Sequence, residues 1–381
     1  MTLFGDLAFF LYLAAICLPA VALGLAGRPI RWYGTAASAL TIVLVLAPSR
    51  RQLALLVLFV TGQLLLASGH AWFVRHRGRA ATWERRAVVI AALLPLLAAK
   101  ISGVVQLPSV GFLGVSYLTF RAVQVILEIS DGLIERIRPW HYVYFLSFFP
   151  AVSAGPIDRS RRFDQDADNP PGRSDYTRLL GQGLWYLVLG AAYKFGPAAW
   201  CEYFLRDPDV VGAGILPYMY LYGFELYFDF AGYSLMAVGA SYVFGVRTPL
   251  NFRAPFVAES IKDFWNRWHI TLSFWLRDYL FSRLTMAFIR RKVFADRVTA
   301  ARVGFVVNMA VMGFWHGTSP QYVFYGIYHG VLMVLNDVYE RRSGFHQRHR
   351  RATWYRVVSI LVTFHAVMFG FLIFSGRLPA A

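Results

Sequence analysis

Glu259-Ser-Ile-Lys-Asp-Phe-Trp-Asn-Arg-Trp-His269-Ile-Thr-Leu-Ser-Phe-Trp-Leu-Arg-Asp278 is rich in both aromatic and charged residues and lies among long apolar runs. A helix over this stretch would set Phe264, Trp265, Trp268 and Trp275 beside Asp263, Arg267, His269 and Arg277. Rings mixed with Arg and His suit a membrane interface, where ring bodies sit in apolar surroundings and polar tips find water. An interfacial amphipathic helix explains the tryptophans. It does not explain why His269 follows an Arg-Trp pair at the centre of the segment.

The rest of the chain points to the bilayer. Its 381 residues are 57% hydrophobic and 15% charged, against about 45–50% and about 25% in soluble domains. At roughly 20 residues per crossing, the apolar length allows about ten spans. Cys17 and Cys201 both sit in apolar runs, so neither a disulfide framework nor a thiolate metal site is implied. The net charge of +17 does not mark a nucleic-acid binder. The cations punctuate the apolar runs, as the positive-inside bias at membrane boundaries requires. They are nearly all arginine, the lysines being Lys100, Lys194, Lys262 and Lys292.

Leu7–Leu25 reads as a first, uncleaved span with its N-terminus outside, because its positive charge follows the apolar run. Thr35–Ala47 and Leu53–Phe73 follow, joined at Pro48; then Arg75, Arg77, Arg79, Arg85 and Arg86 mark a cytoplasmic loop. Val88–Ala99 is short and carries Pro95, which predicts a broken or partly inserted segment. Tyr117–Ile129 holds Thr119, Arg121, Gln124 and Glu128, so it must face protein or a water-filled cavity. Leu179–Leu205, Ile215–Phe244, Val303–Phe314, Tyr322–Val338 and Val357–Phe374 complete the apolar runs. Arg341, Arg342, Arg348, Arg350, Arg351 and Arg356 mark a second cytoplasmic loop, leaving the C-terminus outside. A single membrane domain over residues 1–381 is expected.

Asn308-Met-Ala-Val-Met-Gly-Phe-Trp-His316-Gly-Thr-Ser-Pro320 ends an apolar run on a histidine, after which Gly317 and Pro320 break the helix. An ionisable group at membrane depth is a functional-site hypothesis by default. Imidazole titrates near neutrality and can take a proton from a hydroxyl as an ester forms. A histidine satisfied by a carbonyl at the helix end is the plain alternative. His329 and His365 read as packed or pore-lining residues. Glu225 and Asp229 share a helix face at i, i+4 and read as a polar network that positions the site, with Arg121, Arg253 or Lys262 to neutralise it. Asp164, Asp166 and Asp168 read as a solvated charge run beside Arg161 and Arg162. The runs that mark zinc peptidases, nucleotide hydrolases and serine hydrolases are missing.

Two histidine motifs, Phe264-Trp-Asn-Arg-Trp-His269-Ile-Thr-Leu-Ser and Gly313-Phe-Trp-His316-Gly, together resemble the membrane-bound O-acyltransferase family. Phe228-Asp-Phe-Ala-Gly-Tyr-Ser234 and Pro255-Phe fit it too, and the likeness runs over most of the chain. Gly111-Phe-Leu-Gly-Val-Ser-Tyr-Leu-Thr-Phe-Arg-Ala-Val-Gln124 and Phe148-Phe-Pro-Ala-Val-Ser-Ala-Gly-Pro-Ile-Asp-Arg159 are similar to its D-alanyl-transfer branch. The alginate O-acetyltransferase branch usually has Gln where Arg121 stands.

The resemblance implies an all-α polytopic fold, a ring of about ten to eleven transmembrane helices with shorter re-entrant and interfacial ones around a central tunnel. It implies movement of D-alanine from a phosphopantetheine thioester on a cytoplasmic carrier protein toward an extracellular hydroxyl. In relatives that acceptor is teichoic acid, reached through companion membrane proteins. His316 matches the family's catalytic histidine, and His269 the second, nearer the cytoplasm; no metal and no permanently bound cofactor are implied. Asn308 and Trp315, with Glu225 and Asp229, are expected to support the pair. Carriers of this type are acidic, so Arg283, Met286, Ile289 and Arg290 are expected to dock one. The setting would be a bacterial plasma membrane. A polysaccharide O-acetyltransferase and a solute transporter are the competing readings, and a membrane scaffold a third.

Overall fold

The first helix opens where Asp6 accepts a hydrogen bond from the Phe9 N–H at 2.7 Å, satisfying a donor that the helix itself leaves open. The computed structural model describes residues 1–78, 80–105, 110–212 and 214–378; Arg79 of the first basic loop lies outside them. In chain order the helices are α1 (Leu7–Leu25), α2 (Arg31–Leu46), α3 (Arg50–Arg77), α4 (Thr82–Val104), α5 (Val115–Ser130), α6 (Pro139–Ser147), α7 (Ser160–Asp168) and α8 (Arg173–Tyr193). A π-turn, Lys194–Ala198, leads into α9 (Ala199–Leu205), α10 (Pro208–Gly212) and α11 (Ile215–Val243). Then come α12 (Ile261–Trp265), α13 (Ile270–Leu276), α14 (Ser282–Arg290), α15 (Arg297–His316), α16 (Pro320–Arg342), α17 (Gly344–His349) and α18 (Thr353–Ser375). No strand occurs among the described residues.

Among the described residues, α1, α3, α4, α15 and α18 are long and apolar enough to cross a bilayer. This is an all-α, multi-pass membrane protein. α4 corrects the sequence reading: it runs unbroken through Pro95. Proline deletes one intrahelical bond, but the helix extends beyond Val88–Ala99 at both ends. Glu84 closes its start by accepting from the Ala81 N–H at 3.1 Å and pairing with Arg77.

The chain divides into two compact units, Met1–Ala191 with Gly232–Pro249, and Ala192–Ala231 with Leu250–Ala381. In the first, α5 is buried along nearly its whole length, Leu118 to Ile129, as its polar content requires. Arg121 is 1% exposed and donates to the carbonyls of Phe145 (3.1 Å), Ala151 (2.5 Å), Leu146 and Pro156 (both 3.4 Å). Gln124 donates to the Asp158 carbonyl at 2.9 Å. Helix ends and irregular backbone at membrane depth survive only where protein satisfies them, and α5 does this for the last turn of α6 and for carbonyls between Ala151 and Asp158. Rings of Phe145, Phe148 and Phe163 pack edge to face beside it.

The acidic run is not a solvated one. α7 turns it into a network: Asp166 accepts from Arg162 at 2.6 Å and from the Arg247 N–H at 2.7 Å. Asp168 pairs with Arg31 and, at 2.6 Å, with Arg138, and Asp164 lies 3.5 Å from His141. Asp164 and Asp168, one turn apart, share Arg138 and His141, while Asp166 turns to Arg162 and Arg247.

In the second unit α15 and α16 form a hairpin whose backbones touch through glycines. A Cβ on Gly313 would stand 2.2 Å from the Tyr322 carbonyl, and one on Gly326 2.4 Å from the Met309 carbonyl. Such close approach is what small residues allow in membranes. Gly326→Ala is therefore expected to force the hairpin apart and destabilise the protein by about 1–3 kcal/mol. Any activity that depends on His316 is expected to fall with it, since that residue lies at the end of α15. Thermal unfolding in detergent, read beside activity, checks both.

Candidate active site

His269 is placed by a break in the segment read above as one helix. α12 stops at Trp265, and His269 takes φ +42° before α13 begins. That left-handed conformation is uncommon for a residue with a Cβ and is found at functional sites. Asn251 holds it: its carbonyl accepts from the Ile270 N–H at 2.8 Å and its Oδ1 from the Thr271 hydroxyl at 2.6 Å. Arg253 N–H donates to the Arg267 carbonyl at 3.0 Å, tying down the preceding turn. The irregular stretch before α12 thus holds the backbone that carries the imidazole, a long-range constraint that helical periodicity does not carry. His269 is 2% exposed, with its ring 4.7 Å from Phe230 and 6.2 Å from Trp315.

His316 is the last residue of α15, as its position before Gly317 requires. Gly317 leaves the helix in extended backbone, and its N–H still donates to the Gly313 carbonyl at 3.3 Å. A Cβ there would collide with the Tyr322 ring at 2.2 Å. The imidazole packs on Trp315 (4.6 Å between centroids), Phe374 (5.0 Å), Tyr325 (6.3 Å) and Tyr322 (6.5 Å). Trp315 touches both imidazoles, and the two histidines lie within electrostatic reach of each other. Tyr322, Tyr325 and Phe374 escaped the sequence reading. Tyr322 and Tyr325 recur at helical spacing just after Pro320, which is the one signal that singles them out.

The other expected site residues divide. Asn308 lies two turns before His316 on the same helix, facing a cavity with Met312. Glu225 and Asp229 keep their shared face, but the cation paired there is Lys194, on Asp229, in place of Arg121, Arg253 or Lys262. The π-turn explains this: Tyr193 packs edge to face on Phe228 at 5.2 Å, which brings Lys194 onto Asp229. Arg121 is spent on carbonyls, and Lys262 binds Asp337 and Glu340, both at 3.2 Å. His329 is fully buried among Phe264, Trp265, Tyr325 and Tyr328. His365 bonds the Leu361 carbonyl through Nδ1 at 2.7 Å.

α14 carries Arg283, Met286, Ile289 and Arg290 on one face, since positions i, i+3, i+6 and i+7 fall within a third of a helical turn. Met286 is 47% exposed, Arg290 is exposed, and Arg283 and Ile289 are half-buried. At the edge of this face, one turn before Ile289, Thr285 packs against Gly304 of α15. A π-turn, Arg277–Phe281, joins α13 to α14; such turns concentrate at functional sites.

The model of the membrane-bound O-acyltransferase family matches residues 86–375. The chain is 38% identical to the teichoic acid D-alanyltransferase of Bacillus subtilis (strain 168), over 99% of this chain and 98% of that one. It is 35% identical to the teichoic acid D-alanyltransferase of Streptococcus thermophilus, over 98% and 95%. A probable alginate O-acetylase of Pseudomonas syringae is 31% identical, over 70% of this chain and 49% of its own. A paired-histidine helical bundle of this kind, matched along most of its length, is a membrane-bound acyltransferase, and the chain belongs to the membrane-bound O-acyltransferase family.

Proposed function

We propose that the chain transfers D-alanine from a phosphopantetheine thioester on a cytoplasmic carrier protein to a hydroxyl acceptor beyond the bacterial plasma membrane. The observation that carries this is the meeting of His269 and His316 on one indole, Trp315, in a chain similar over its whole length to teichoic acid D-alanyltransferases. His316 takes the proton of the acceptor hydroxyl as its oxygen attacks the thioester carbonyl. The new C–O bond forms, the C–S bond breaks, and the leaving thiolate recovers the proton from the imidazolium. Positioned general-base help contributes about 10²–10⁴-fold, and holding both reactants in place adds to it. His269 positions the thioester arm or relays the proton. Companion membrane proteins then carry the alanyl ester to teichoic acid.

Carrier docking falls to α14. Met286 and Ile289 supply apolar contact, and Arg283 and Arg290 steer an acidic partner. Reversing Arg290 and Arg291 to Glu is expected to abolish carrier capture while membrane insertion is unchanged, and salt is expected to weaken capture in the wild type. Pull-down of carrier on detergent-solubilised protein, with and without added salt, checks both. The whole reading is tested by incubating membranes that contain the chain with carrier loaded with radioactive D-alanine. Base-labile label on a membrane hydroxyl is expected. Label that enters vesicles as free solute, without carrier, would favour a transporter instead.

A further inference from the structure

The second unit holds a cavity of about 220 Å³ whose walls are mostly apolar. Met309, Met312 and Met333 line it, giving an adaptable thioether surface. Lys262, Asn266, Ser273 and Arg277 line it too, but two other polar atoms on its wall are buried without a hydrogen-bond partner. Trp265 is 7% exposed, lines the cavity, and its Nε1–H has no hydrogen-bond acceptor. Asn308 also lines it, and its buried Oδ1 has no donor, while its Nδ2 contacts the Met309 sulfur at 4.0 Å. Leaving a buried donor or acceptor unmade costs about 1–3 kcal/mol each, so the cavity holds one donor and one acceptor in want of partners.

We propose that Trp265 and Asn308 are positioning residues that read a secondary amide of the donor's pantetheine arm, the indole N–H donating to its carbonyl and Asn308 Oδ1 accepting from its N–H. This rests on the function proposed above. A group that offers one acceptor and one donor side by side, as a secondary amide does, satisfies both atoms. An alkyl or lipid chain satisfies neither, and the ammonium of D-alanine offers no acceptor to the indole. The cavity is too small for a nucleotide, since ligand pockets of that class run from about 300 Å³ upward, but it suits one segment of a narrow chain. Arg277, exposed at the rim and stacked 4.2 Å over Phe274, suits the arm's anionic phosphodiester end. Asn308, Met312 and His316 recur at i, i+4 and i+8 on α15, so the amide site lies on the face that ends at the catalytic imidazole, about 12 Å along the axis. That separation fits an amide further up the arm while the thioester rests beside His316.

The test compares two carriers, one with D-alanine on the natural arm and one on an arm of equal length with methylenes replacing the amides. The readout is kcat/KM for release of the carrier thiol. Trp265→Phe and Asn308→Leu are each expected to lose about tenfold with the natural arm and to leave the methylene arm unchanged. That unchanged rate also shows that the variants fold. Variants that keep the wild-type preference for the amide arm, or that lose both donors equally, would overturn the inference. A wild type that releases thiol from neither carrier would overturn the proposed function itself.

Discussion

Replacing His316 with Ala is expected to cut alanyl transfer by about 10²–10⁴-fold without loss of membrane insertion or carrier capture. The imidazole ends α15, and the backbone bond that closes the helix, from Gly317 N–H to the Gly313 carbonyl, does not involve its side chain. Alanine is the best helix former, so the turn is kept. What is lost is the base and its packing on Phe374 and Tyr325. Capture is expected to survive, because the exposed residues proposed to meet the carrier, Met286 and Arg290, lie on α14. A His316→Gln variant, which keeps bulk and polarity but cannot act as a base, is expected to fail equally. Transfer from radioactive carrier, measured beside carrier pull-down, checks the prediction; retained transfer would refute the assignment of His316.

The second large effect belongs to Arg121. Its guanidinium serves four carbonyls, Phe145 and Leu146 at the end of α6 and Ala151 and Pro156 beyond it, and its charge lies 5.6 Å over the Phe145 ring. Arg121→Met keeps length and removes every donor, leaving buried carbonyls unsatisfied at about 1–3 kcal/mol apiece. A total loss of about 3 kcal/mol or more is expected, enough to exhaust much of a marginal stability. Arg121→Lys is expected to fall between, since a compact ammonium with three donors cannot span the fork. Thermal unfolding in detergent distinguishes the three proteins, and equal melting of wild type and Arg121→Met would contradict the role.

How much of this was legible in the chain depends on the range of the interaction. α1 has the limits its apolar run shows, Leu7 to Leu25, because a span is set by local hydropathy and by Asp6. His316 ends its helix where Gly317 and Pro320 say it must. The burial of α5 was readable from polar residues within an apolar run, but the carbonyl partners of Arg121 lie 24 to 35 positions away and leave no local mark. The break at His269 was hidden for the same reason. No glycine announces the left-handed backbone there; Asn251, some twenty positions off, imposes it. Lys194 was missed as the partner of Asp229 because a π-turn, not a helix, sets its direction. Pro95 misled in the other direction: a lone proline outweighed the good helix formers on either side of it.

The most direct test is a single turnover with purified protein and D-alanyl carrier, following the appearance of free carrier thiol in the presence of a hydroxyl acceptor. Wild type is expected to release thiol and form an equal amount of alanyl ester, while His316→Ala captures the carrier and releases neither. Ester formation by His316→Ala at the wild-type rate would contradict a reaction centred on the paired imidazoles.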